Sequence, residues 1–301
     1  MPTSTDDPAD LVLEAFAHGY GALAFAFVLG TLFGSFANVC IARLPLGMSV
    51  VEPPSHCFSC QAKVRWFDNI PIVSYFVLRG RCRSCGAGYS PRYMLVEAAT
   101  GLLFAATWFL CMEALRVEEP FAHRAARFAI YALFDFVLVV ITFIDLDHKL
   151  ILDVITYPAI PLFFGLAWLL GDRPWWDGGL GVVVGYGIVR LISDGYWLLT
   201  KREGMGYGDG KLLAIIGALL GWKAVLFSLF GGAMLGSVLG IGLLLVQRRR
   251  APAPGPDTPD GEAVPMRHVE IPFGPYLIGA ALVYLFLQQQ IGLQVDLFLH
   301  P

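Results

Sequence analysis

Residues 127–145, Arg127-Phe-Ala-Ile-Tyr-Ala-Leu-Phe-Asp135-Phe-Val-Leu-Val-Val-Ile-Thr-Phe-Ile-Asp145, are a mainly apolar run that ends in a carboxylate. About 20 such residues cross the hydrocarbon core of a bilayer, so the run reads as a membrane span. Seven more follow from the same reading, at roughly 20–42, 93–115, 151–171, 178–199, 210–221, 224–247 and 273–290. Charged residues make up 15% of the 301-residue chain, where a soluble domain carries about 25%. Mean hydropathy is +0.64. These figures exclude a soluble enzyme and predict an all-α polytopic membrane protein with about eight transmembrane helices, embedded in lipid. The net charge of -3 offers nothing to nucleic acid. The first nineteen residues hold Asp6, Asp7, Asp10 and Glu14 but no Lys or Arg. They are not expected to be a cleaved signal peptide, which would begin with a basic segment.

Lysine and arginine counts set the orientation. If the loop after the first span is cytoplasmic, inside segments hold fifteen basic residues. Seven lie between Arg43 and Arg92; the others are Lys149, Lys201, Arg202, Lys211, Arg248, Arg249, Arg250 and Arg267. Outside are five: Arg116, Arg124, Arg127, Arg173 and Lys223. Both termini are therefore expected outside. Trp168, Trp175, Trp176 and Trp222 then fall near the outer interface, where indoles are favoured.

The organisation that follows is an N-terminal segment and first span (1–42), a small polar cytoplasmic domain (43–92), a helical core (93–290) and a tail (291–301). Within the core, 248–270 opens with three arginines and continues Ala-Pro-Ala-Pro-Gly-Pro-Asp, the composition of a flexible linker. Glycines four apart, Gly30 and Gly34, then Gly232, Gly236 and Gly240, read as places where helices pack closely.

The polar domain carries Cys57-Phe-Ser-Cys60 and Cys82-Arg-Ser-Cys85, two C-x2-C pairs separated by twenty-one residues. Each pair puts two thiolates on one tight turn, and two such turns close a tetrahedral zinc site. Four thiolates leave no open position, so the Zn2+ is structural, and it supplies folding energy to a segment with little core of its own. Disulfides are the alternative, and a cytoplasmic location argues against them. Cys40 and Cys111, inside spans, read as apolar filler.

A second carboxylate stands in Gly204-Met-Gly206-Tyr-Gly208-Asp209-Gly-Lys211, a glycine-dense stretch before the short sixth span. From Asp145 to Asp209 the chain makes one out-and-back hairpin, so both lie at the same membrane face. Two close carboxylates in a poorly solvated site cannot both ionise easily, and one keeps a proton while the other acts as base. Aspartyl hydrolysis needs that division: the base activates water and the acid protonates the peptide carbonyl. Spacing alone leaves other readings open. The aspartates could be hydrated groups paired with Lys149 or Lys211, or the coupling pair of an ion- or proton-driven transporter. Arg190 and Asp194, four apart, read as a structural ion pair. Glu97, near the inside end of the second span, is a candidate for substrate contact, and Asp135 receives no assignment.

Taken together, these stretches resemble the bacterial type IV prepilin peptidases. The glycine-rich stretch looks like the family's G-x-G-D signature. Ile144-Asp145-Leu146-Asp147 with Asp153 is similar to its first aspartate motif, and Gly34-Ser-Phe-Ala-Asn38 through Arg43-Leu-Pro45 to its N-terminal motif. The paired C-x2-C loop resembles that of bifunctional members, and Pro272-Phe-Gly-Pro-Tyr-Leu277 the segment before the last helix. The resemblance implies a multi-pass enzyme of the bacterial inner membrane. Such an enzyme cleaves the leader of prepilins and type II secretion pseudopilins at the cytoplasmic face, then methylates the new N-terminal residue using S-adenosylmethionine. It implies Asp145 and Asp209 as the catalytic pair. Gly206, Gly208 and Lys211 are expected to support the loop or the substrate, and Glu97 to belong to the methyl-transfer site. The sequence departs from the family pattern at Leu152, where proline usually precedes the later aspartate. It departs again at Gly210, where a bulkier residue is common and a looser loop is expected.

Overall fold

The structure is a computed structural model that describes residues 19–114, 119–201, 206–250 and 272–299, with side chains of 243–250 and 289–299 left aside. Expectations about the acidic N-terminus, about Gly204 and about most of the linker at 248–270 fall outside the described residues; its first three residues, Arg248, Arg249 and Arg250, are not linker but continue the preceding helix. Among the described residues nine α-helices follow in order: α1 (Tyr20–Arg43), α2 (Val73–Leu78), α3 (Arg92–Phe109), α4 (Phe121–His148), α5 (Asp153–Leu170), α6 (Trp175–Thr200), α7 (Tyr207–Leu220), α8 (Trp222–Arg250) and α9 (Gly274–Leu299). A π-turn, Leu110–Ala114, prolongs α3. The all-α class is as expected, and among the described residues β pairing is limited to two isolated bridges in the small domain.

Among the described residues six helices, α1, α3, α4, α5, α6 and α8, are long and apolar enough to cross a membrane. The two other expected spans are also helical, but in shorter form. In α9 the apolar stretch is Gly274–Gln288, although the helix itself runs past the boundary expected at 290. Helix α7 has 14 residues, about 21 Å at 1.5 Å per residue, less than the hydrocarbon thickness of roughly 30 Å. Its surroundings explain how so short a helix is tolerated. Leu212 through Leu220 are all buried, and α5, α6, α8 and α9 pack around it. A helix that is apolar all round belongs inside protein rather than against water.

Missing side chains bring these helices together. A Cβ added at Gly181 of α6 would lie 2.5 Å from the Gly217 carbonyl oxygen of α7, and one at Gly185 2.7 Å from that of Leu213. Helices α1 and α3 meet in the same way: a Cβ at Gly30 would lie 2.7 Å from the Thr100 carbonyl oxygen, and one at Gly34 2.6 Å from Glu97 Cα. Gly232 and Gly236 of α8 face Leu277 and Tyr276 of α9, so these glycines act as the close-packing contacts expected of them. The α6–α7 seam is new.

Helix α4 is the most enclosed of the long helices. Its first turns carry Arg124 and Arg127, both buried. The Arg127 guanidinium donates to Asp172 at 2.8 and 2.9 Å and to Glu119 at 2.5 Å. Arg124 donates to the Met112 carbonyl at 2.9 Å. This network ties α4 to the α5–α6 connection at the end opposite Asp145.

Candidate active site

Asp145 sits in the last turn of α4, which closes at Lys149 in a left-handed conformation (φ 53°) with the Lys149 N–H donating to the Asp145 carbonyl at 2.8 Å. The side chain is 5% exposed. One partner of its carboxylate is the backbone of α9: the Gly274 N–H donates to Asp145 Oδ2 at 3.0 Å. Only glycine fits there, since a Cβ would lie 2.5 Å from that oxygen. Gly274 is the first residue of its helix, so the donor belongs to the positive end of α9's backbone dipole.

Asp209 lies in the first turn of α7. Gly206 caps that helix, its carbonyl accepting the Asp209 N–H at 3.1 Å, and its Cα side faces Asp209 Oδ2. A Cβ on Gly208 would meet Ile151 at 2.9 Å, so the start of α7 is pressed onto the link between α4 and α5. The Asp145 carboxylate acts electrostatically on Asp209. Two helices, α9 and α7, thus begin beside Asp145 and Asp209 respectively, and both offer N-terminal N–H groups to negative charge.

The surrounding residues brace this arrangement. Lys211 is bound to Asp153 of α5 and lies over the Tyr157 ring, 4.9 Å from its centroid. It therefore clamps α7 to α5, and its pairing is with Asp153. Arg190 and Asp194 form the expected pair at 3.2 Å, and the pair takes up Tyr207, whose hydroxyl donates to Asp194 at 2.9 Å. Arg92 holds Asp147 at 2.6 Å. Leu152 has φ -75°, within the range proline would impose, so the turn into α5 keeps a proline-like form without one. Gly210 is buried in the first helical turn, with Val189 3.1 Å from where its Cβ would be. It allows close packing on α6. Asp135 points elsewhere, buried against Thr107, whose hydroxyl donates to it at 2.5 Å. It lies ten residues before Asp145, about 15 Å along the helix.

Glu97 joins two parts of the molecule. Its Oε2 accepts the Ile72 N–H of the small domain at 2.7 Å, and the Ser35 side chain also bonds to it. Ile72 has φ 63°, an uncommon left-handed value for a β-branched residue, and Glu97 holds the N–H that this conformation presents.

In that domain the four cysteines converge. Their sulfurs all lie within 4.8 Å of one another, and Cys57 and Cys85 Sγ are 3.8 Å apart. A tetrahedron with Zn–S bonds near 2.3 Å has edges of about 3.8 Å, so the donor set fits Zn2+. That distance is far beyond a disulfide bond, and all six cysteines are free. The two turns are built alike. The Cys57 and Cys82 N–H groups donate to Ala62 and Ala87, and their carbonyls accept from Gln61 and Gly86. Gln61 and Gly86 occupy equivalent left-handed positions (φ 58° and 73°). The N–H groups of Cys60 and Ser59 aim at Cys57 and hold its thiol down at about 6. Cys40 and Cys111 are buried in the helices, as filler would be.

Two carboxylates brought together where membrane helices begin, beside a four-cysteine domain, define a polytopic membrane protein of paired-aspartate type. Comparison with known proteins narrows this. Residues 28–111 match the bacterial peptidase A24 N-terminal domain, and residues 132–241 match the type IV leader peptidase family. A prepilin leader peptidase/N-methyltransferase of Myxococcus xanthus is 38% identical over 244 residues, 80% of this chain and 70% of the relative. Proteins of the same description from Aeromonas salmonicida (35%; 91% of this chain, 94% of the relative) and Pseudomonas aeruginosa (32%; 91% and 93%) match over nearly their whole length. No solved structure matches. The chain belongs to the type IV leader peptidase family.

Proposed function

We propose that this chain is a bacterial inner-membrane endopeptidase and N-methyltransferase. It removes the leader of type IV prepilins, and of type II secretion pseudopilins, at the cytoplasmic face, and methylates the amine that cleavage exposes. The observation that carries the hydrolytic half is that Asp145, bonded to the first N–H of α9, and Asp209, in the first turn of α7, are near enough to act on each other electrostatically.

Asp145, which accepts the Gly274 N–H, takes the role of base, since a donor at a helix N-terminus suits a charged acceptor. It takes a proton from water as the water oxygen attacks the scissile carbonyl carbon. Asp209 gives its proton to the carbonyl oxygen, yielding a neutral diol. Collapse breaks the C–N bond: Asp145 passes its proton to the leaving nitrogen, and Asp209 recovers one from a diol hydroxyl. Both carboxyl groups end as they began. The absence of a Cβ at Gly206 leaves room for substrate backbone beside Asp209, while the one missing at Gly208 is taken up by Ile151.

A Zn2+ held by Cys57, Cys60, Cys82 and Cys85 would fix the fold of the small domain. S-adenosylmethionine supplies a methyl group on a sulfonium cation. Aromatic faces and a carboxylate suit such a cation, and Tyr75, Tyr89 and Glu97 are such a set. The Tyr75 and Tyr89 rings lie 5.7 Å apart, and burial, with the Glu97 carboxylate nearby, holds the Tyr89 phenol above its usual range.

The test is cleavage of a purified prepilin with S-adenosylmethionine present, followed by product mass. Asp145→Asn and Asp209→Asn are each expected to abolish cleavage while the protein still inserts. Wild-type processing by either variant would remove that residue from the mechanism.

A further inference from the structure

We infer that residues 66–78 of the small domain are a membrane-seated foot, whose apolar side chains enter the lipid leaflet on the aspartate face and whose flanking cations bind anionic lipid headgroups. The inference rests on the chain being a membrane protein and is independent of what the aspartates do.

Depth is the first argument. Ile72 is bonded to Glu97, five residues into α3, about 7 Å below the helix start. Glu97 itself packs against Gly34 of α1, nine residues before that helix ends. The chain at Ile72 therefore reaches below the ends of two membrane helices, and α2 begins at the next residue.

The second argument is that α2 is inside out for a water-soluble domain. Its buried residue is Ser74, whose hydroxyl donates to the Phe67 carbonyl at 3.3 Å. Its outward residues are Val73, Phe76 and Val77, 53%, 65% and 67% exposed, and Trp66 just before is 81% exposed. Water would oppose such a face and a lipid leaflet favours it.

Charge is the third. Lys63, Arg65, Arg79 and Arg81 flank the segment, all exposed. The one carboxylate within 63–81 is Asp68, tied to Arg83 at 2.6 Å. Lys63 and Arg65 line an open recess of about 670 Å³ with Trp66 and Phe67. Cations beside indole and phenyl rings match an anionic headgroup layer, where each basic residue adds attraction.

The experiment uses the full chain in lipid nanodiscs, with a photoreactive benzoylphenylalanine in place of Phe76 or, as control, of Phe58 in the first cysteine turn. Zinc content equal to wild type shows that each variant is folded; if the Phe76 variant fails this, Val77 takes its place. In discs containing phosphatidylglycerol, mass analysis should find several-fold more lipid adduct at Phe76 than at Phe58. Replacing Lys63, Arg65, Arg79 and Arg81 by Gln should lower the yield toward that in phosphatidylcholine discs. Equal adducts at both positions would overturn the proposal. So would a Phe76 probe that attaches to added prepilin instead of lipid, which would make the surface a substrate site.

Discussion

Gly274 shows what a single missing methyl group does here. Its N–H reaches Asp145 only because no Cβ stands between them. Gly274→Ala must push the carboxylate aside, and displacement of the proposed base by about 1 Å is expected to cost roughly 10²-fold in rate. Steady-state kinetics on a prepilin should show that loss in kcat with KM little changed; a kcat within twofold of wild type would remove Gly274 from the site. Asp145 and Asp209 were legible in the sequence because a carboxylate beside an apolar run is costly and needs a reason. Gly274 was legible only as part of a family motif, because its contribution is a backbone N–H that every non-proline residue has. Tyr207 was hidden for another reason: its hydroxyl reaches Asp194, thirteen residues away on a different helix. Glu97 was expected to contact substrate, whereas the bond that the structure shows for it, to Ile72, depends on a turn that sequence pattern does not display.

At the scale of elements, the seam between α6 and α7 positions Asp209. Gly181→Val is expected to force α7 off α6 and cost about 1–3 kcal/mol, seen as a lower thermal midpoint and a lower cleavage rate together. A fall in stability with full activity would mean that α7 is held from elsewhere. The cysteine turns give a second prediction. Metal should stay bound at neutral pH and leave as the thiolates protonate on acidification, because protons compete with zinc for sulfur. Zinc released per chain, followed against pH, measures this, and the four-cysteine-to-serine variant should bind none. The turns were readable from spacing because metal geometry constrains that spacing tightly. Span ends were not: α4 begins at Phe121 and ends at His148, past the expected 127–145, since hydrogen bonding continues a helix beyond its apolar part. The shortness of α7 was visible in its residue count, but the enclosure of Leu212–Leu220 depends on glycines in α6, Gly181 and Gly185, whose partners Gly217 and Leu213 lie 36 and 28 residues further on.

Across the whole molecule, α4 links two polar ends. Arg127 is about 27 Å along the helix from Asp145 and is the buried counter-charge of Asp172 and Glu119. Arg127→Met should cost about 3–5 kcal/mol, the usual effect of removing one partner of a buried pair. The thermal midpoint should drop while kcat of the folded protein stays at wild type; a changed kcat would show that the far end influences the site. The parity argument, one hairpin between the two aspartates, held because α5 and α6 both span. Which parts of α3, α4 and α9 complete the site could not be counted from spans, since parity gives a side and never a neighbour.

The brevity of α7 bears on how the molecule is made. A helix of that length has little claim on the bilayer by itself, so it must enter as the second arm of a hairpin after α6 has laid down its glycine face. The N–H that holds Asp145 arrives later still, with α9. The nascent chain is then inert until α9 has been made, and a chain ending at Arg250 should insert yet leave its substrate uncut.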